Sequence, residues 1–137
     1  MIRVTENQIK EFQDNGAVLI PGLFSSWIPI ITKGIEFNLK NPSQYAAENA
    51  KTQQQGRFFD DYCNWMRIPE FEQVIKKSQT AKVAAMLMNS KKVQFFHDHV
   101  LYKSAGSSTD TPWHQDESYY FTHGNMSVSF WIPVDSI

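Results

Sequence analysis

One stretch, Thr111-Pro112-Trp113-His114-Gln115-Asp116, constrains this chain more than any other. It sets a histidine and a carboxylate two residues apart, between segments whose composition predicts β-strands. Residues i and i+2 of an extended chain project to the same side. An imidazole nitrogen of His114 and an oxygen of Asp116 can therefore meet at one point without backbone distortion. These groups are two-thirds of the 2-His-1-carboxylate set that grips non-haem Fe(II) by one face and leaves other positions open. A bare His-x-Asp pair is common and is usually a surface histidine beside an acid. The context decides its weight.

Ahead of the pair, Val93 to Lys103 alternates as a strand. Val93, Phe95, His97, His99 and Leu101 share one face, and Gln94, Phe96, Asp98, Val100 and Tyr102 the other. Neither face is plainly polar, which predicts a strand covered on both sides or lining a cavity. A loop rich in Gly and Ser, 104–110, leads into the pair. Beyond it, Ser118 to Phe121 is aromatic, His123-Gly124-Asn125 reads as a solvent-exposed turn, and Ser127 to Val134 reads as another strand.

The first 90 residues read differently. Thr5 and Gln8 make a capping box ahead of a short helix that stops at Asn15-Gly16. Ala17 to Ile20 predicts a short buried strand closed by Pro21-Gly22. Trp27, Ile30, Ile31, Ile35 and Leu39 recur at helical spacing until Asn41-Pro42. The polar, Gln-rich run 43–57 predicts a loop or flap. Pro69 opens a helix that buries Phe71, Val74 and Ile75, and a further helix runs from Thr80 to Met88. Core packing explains these apolar residues. With no repeat and no linker, 1–137 reads as a single domain, helical over 1–90, with a β core starting at 91.

Composition removes several classes of function. Lys and Arg number 13 against 14 Asp and Glu, a net charge of -1. There is no basic stripe for nucleic acid and no polybasic run for a membrane surface. No stretch approaches the roughly 18 apolar residues of a membrane span, and the N-terminus lacks the pattern of a signal peptide. The single cysteine, Cys63, excludes an internal disulfide and fits a reducing compartment. Its aromatic surroundings predict a buried small hydrophobe rather than a nucleophile. The expectation is a cytoplasmic protein acting on a small-molecule substrate, with no nucleic-acid or membrane partner.

Four segments in order then carry a resemblance. Phe12 to Leu23, His99-Val100-Leu101-Tyr102-Lys103, His114-Gln115-Asp116 and Ser129-Phe130-Trp131-Ile132-Pro133-Val134 resemble the phytanoyl-CoA dioxygenase (PhyH-like) family of Fe(II)/2-oxoglutarate oxygenases, in its N-terminal part. The resemblance implies an α+β, mainly β architecture: a double-stranded β-helix (jelly-roll, cupin-like) core with flanking N-terminal helices. It implies His114 and Asp116 as metal ligands and catalytic residues, with His99 and Trp131 beside the cosubstrate. It implies Fe(II), 2-oxoglutarate and O₂, and hydroxylation of an unactivated C–H bond with succinate and CO₂ as coproducts. Family relatives that halogenate carry a small residue at the carboxylate position, so Asp116 points to hydroxylation.

Individual residues keep a second reading. His99 serves equally as a core histidine bonded to a backbone group, His97 reads as structural, and Arg57 as a surface arginine rather than a carboxylate grip. Trp113, Tyr119, Tyr120 and Phe121 wall a pocket or simply pack. The family pattern also calls for a distal histidine and an arginine. No arginine follows Arg67, and His123 is too close to Asp116 to be that ligand. The core is therefore expected to be incomplete at the C-terminus, with the edge of the strand 127–134 a route to self-association. Two other readings follow: a non-catalytic or fragment binding module, and a Zn-dependent hydrolase using His97, His99, His114 and Asp116. The hydrolase lacks an obvious base and zinc spacing.

Overall fold

The computed structural model describes residues 4–50, 56–107, 110–120, 124 and 126–136. Helix α1, Glu6–Asn15, begins where the capping box predicts. Thr5 Oγ1 accepts from the Gln8 amide at 3.2 Å, and Gln8 Oε1 accepts from the Thr5 amide at 3.0 Å. Gly16 ends the helix at φ 75°, a left-handed conformation cheap only for glycine. A 3₁₀ turn, Ser25–Trp27, leads into α2, Ile28–Lys40. Helix α3, Pro69–Lys77, places Glu70 and Glu72 in its first turn and Lys76 and Lys77 in its last, matching the helix dipole at both ends. Helix α4 spans Thr80–Leu87.

Strands β1, Ala47–Glu48, β2, Phe58–Tyr62, and β3, His99–Lys103, form an antiparallel sheet in that order. The register sets Phe58 against Lys103, Asp60 against Leu101 and Tyr62 against His99. Two apolar clusters hold the fold. One joins Val4, Leu23, Phe24, Val83 and Leu87, and the alternate residues Val128, Phe130 and Ile132 pack onto it. The other joins Phe59, Ile68, Phe71 and Val100 beneath the sheet. Helices α2 and α3 approach closely at Gly34, where an added Cβ would come within 2.5 Å of Phe71 Cε1.

Two carboxylates tie the sheet to its surroundings. Asp61 is wholly buried. Its Oδ2 accepts from Asn38 Nδ2 and the Ser43 amide, both at 2.8 Å, and its Oδ1 from Ser43 Oγ at 2.5 Å. Burial pushes its pKa up, but the hydrogen bonds from Ser43 and Asn38 outweigh burial and leave it below the ordinary 3.8. Asp98, just ahead of β3, accepts from the amides of Trp65 at 2.8 Å and Asn64 at 3.2 Å, and so fixes the turn into α3. There burial wins and raises the carboxyl.

The fold is α+β: four helices and a small antiparallel sheet among the described residues. This departs from the sequence reading in several places. The expected double-stranded β-helix is represented by three strands, and two of these, β1 and β2, fall inside the stretch read as helical. Ala17 to Ile20 is not a buried strand. Val18 and Ile20 pack inward, Leu19 is 78% exposed, and no described strand pairs with it. The strand expected from Val93 begins only at His99, where β2 is available to pair. Its faces are unequal, because Val100 is buried and Leu101 is not. The 127–134 segment alternates burial but is not a strand of the sheet formed by the described residues. Cys63 is exposed rather than buried, because φ 63° swings it out of the bend after β2. Of the expected flap, 47–48 is strand β1 and 51–55 lies outside the described residues.

Candidate metal centre

His114 and Asp116 do not sit in a strand. Residues 110–115 are irregular, and Asp116–Tyr119 is a 3₁₀ turn. Even so, His114 Nε2 lies 3.2 Å from Asp116 Oδ1. The other ring nitrogen, Nδ1, lies 2.8 Å from the Pro112 carbonyl oxygen. A carbonyl can only accept, so this contact is a hydrogen bond when Nδ1 carries the proton. The neutral ring then turns Nε2, its acceptor, toward the carboxylate. Two acceptors this close are stable together only with a positive charge between them, a proton or a metal ion. Ligands about 2.1 Å from one ion at roughly right angles to each other stand about 3 Å apart. The donor set and its spacing thus fit a divalent metal, and a backbone carbonyl on the far nitrogen is the usual orienting contact for a metal-bound histidine.

The other Asp116 oxygen, Oδ2, is 3.4 Å from both Tyr120 Oη and Ser129 Oγ, which are themselves 3.3 Å apart. Tyr120 is held edge-on by Phe96 and His97, with centroids 5.1 and 5.6 Å away. His97 is half-buried at this junction. Burial depresses its pKa and His99 depresses it further, against the opposing pull of Asp98 and Asp116. Sequence reading put the more interesting histidine at His99. Yet His99 sits on the exposed face of the sheet, with Nε2 3.6 Å from Asp60 Oδ2 and its ring edge-on to Tyr62 at 4.9 Å.

Trp131 shares the side of Ser129 in the alternating segment and is 74% exposed. Trp113 is fully exposed, Phe121 and His123 lie outside the described residues, and Tyr120 lies against Asp116 rather than only walling a pocket. Arg57 is occupied elsewhere. It pairs with Glu48 at 2.7 Å and lies over the Phe59 ring, clipping β1 to the sheet. Partial loss of water around the thiol, with Asp98 and Asp61 nearby, holds Cys63 above the ordinary thiol range. Among the described residues no third His, Cys, Asp or Glu joins a metal-binding group. Shallow hollows lie along α3 and between α1 and α4, away from His114.

Ser129 and the Pro112 carbonyl escaped the sequence reading. The carbonyl is backbone and carries no residue signal. A hydroxyl on the face of 127–134 that turns away from the core was the one available cue to Ser129.

The α+β chain thus brings a histidine and a carboxylate together, with two hydroxyls on the far oxygen of the carboxylate. The model of the phytanoyl-CoA dioxygenase (PhyH) family matches residues 12–137, and the chain belongs to that family. Among curated proteins and among solved structures, nothing matches the chain. No helix among the described residues is long and apolar enough to cross a membrane.

Proposed function

We propose that this protein is an Fe(II)/2-oxoglutarate-dependent dioxygenase that hydroxylates an unactivated C–H bond of a small organic substrate in the cytoplasm. Family membership supports oxygenase chemistry in general. The observation that carries the reading to particular residues is the orientation of His114, with Nδ1 against the Pro112 carbonyl and Nε2 3.2 Å from Asp116 Oδ1. His114 and Asp116 hold the metal, and β1–β3 form the start of a β-helix barrel. When bound, Fe(II) with 2-oxoglutarate and O₂ supplies the oxidation, releasing succinate and CO₂. The chain orients its two ligands, with His99 and Trp131 flanking the cosubstrate and exposed aromatic groups such as Trp113 meeting the substrate.

A second reading, a non-catalytic binding module of the same family, is favoured by one observation: the described residues gather two metal-binding groups and no third. Fe(II)-dependent succinate release from 2-oxoglutarate separates the two, because uncoupled turnover needs no substrate. It is measured on the 137-residue chain and on any longer natural form, each beside His114→Ala. Turnover lost on substitution supports the oxygenase. Silence from a folded form that has a distal histidine and arginine sinks it.

A further inference from the structure

We infer that Tyr120 and Ser129 are positioning residues that clamp Oδ2 of Asp116 and so leave Oδ1 as its single metal-binding oxygen. This rests on the reading of His114 and Asp116 as metal ligands. The three oxygens form a nearly equilateral triangle with edges of 3.4, 3.4 and 3.3 Å. Two hydroxyl protons serve three edges, so only two edges can be hydrogen bonds at once. An ionised carboxylate only accepts, and hydrogen bonds to it are the stronger kind, so both protons go to Asp116 Oδ2. Oδ1 is the oxygen that faces His114 Nε2. With Oδ2 engaged twice from behind, the carboxylate is held against rotating into a two-oxygen grip, which keeps a coordination position open.

Each hydroxyl is aimed by a different part of the fold. Tyr120 is wedged by Phe96 and His97, just ahead of β3. Ser129 lies between Val128 and Phe130, which pack on the α1–α4 cluster, Phe130 edge-on to Phe24 at 5.7 Å. The clamp thus ties the irregular metal segment to both halves of the protein.

The test is Co(II) binding under anaerobic conditions, read by calorimetry and by the visible d–d spectrum, with no turnover required. Tyr120→Phe keeps the ring and its edge contacts while removing the hydroxyl. Ser129→Ala removes the second hydroxyl, and Ser129→Thr restores one. Tyr120→Phe and Ser129→Ala are each expected to weaken Co(II) binding about tenfold and the pair by more, the usual range for outer contacts to a ligand. The d–d bands should shift as the carboxylate changes its grip, and Ser129→Thr should return both readouts toward wild type. Circular dichroism of each variant identifies any that fails to fold, and Tyr120→Phe then decides alone. A folded double variant with wild-type affinity and spectrum overturns the clamp and leaves the metal site standing. If wild type and His114→Ala bind Co(II) alike, the metal site itself is overturned and the clamp with it.

Discussion

Asp61 and Asp116 show two ways of using a carboxylate in one chain. Asp61 is wholly buried in the half built from α2, α3 and the sheet, bonded by neutral donors from Asn38 and Ser43 with the Arg67 guanidinium 3.6 Å from its Oδ2. Both of its oxygens are taken up by these internal partners, so it serves to hold structure together. Asp116 lies on an exposed turn and turns one oxygen toward an imidazole nitrogen at 3.2 Å. It is committed on one side and open on the other. The difference teaches where to look for chemistry: in the carboxylate whose geometry is fixed but whose acceptor capacity is not used up.

If the contrast is right, substitutions in the first region cost stability and those in the second cost function. Phe59→Ala, at a ring 1% exposed, should lose about 3–5 kcal/mol in urea unfolding. A loss below about 1 kcal/mol would mean the sheet is not packed as described.

Asp61→Asn should cost about 2–3 kcal/mol at neutral pH, because donors arranged for a charge would meet an amide. Its pH dependence sharpens the point. The folded-state pKa of Asp61 lies below the ordinary 3.8. Its stabilisation is therefore present above that value and is lost as pH falls through 3.8 toward the folded-state value. Asp98 works in the opposite sense, because its folded-state pKa is raised, so its charged form is a penalty that protonation relieves. Acid unfolding of Asp61→Asn should be shallower than that of wild type, and an unchanged profile would remove Asp61 as an acid-sensitive tie.

Gly34→Ala sets two effects against each other. A Cβ 2.5 Å from Phe71 forces α2 and α3 apart, at about 1–3 kcal/mol, while alanine favours the helix by about 1. The net expectation is a loss of about 1 kcal/mol in thermal or urea unfolding. A gain would show that the two helices have room to move.

At the other end of the scale, His114→Ala should change stability by less than about 0.5 kcal/mol while abolishing metal-dependent succinate release. A large loss of stability would place His114 among the structural ties and erase the contrast.

The sequence by itself determined the local structure and named a candidate pair of metal donors. Thr5, Gln8 and Gly16 specify α1 because caps act within a few residues, and Pro69 starts α3 for the same reason. The His114-Gln115-Asp116 triplet names its donors outright, and four ordered segments mark the family. Tertiary structure decided which extended segments became strands. Residues 17–20 and 127–134 have strand-like alternation but stand outside the sheet, whereas 58–62 is a strand because β3 and β1 lie on its two sides. Alternation reports which face is buried and says nothing about whether a neighbour offers hydrogen bonds. Tertiary structure also chose among the histidines, wedging His97 beside Tyr120 and leaving His99 on the open sheet face. Ser129 is brought to Asp116 from 13 residues away. Contacts of that kind depend on how the α1–α4 cluster seats Phe130, which no local pattern in the chain encodes.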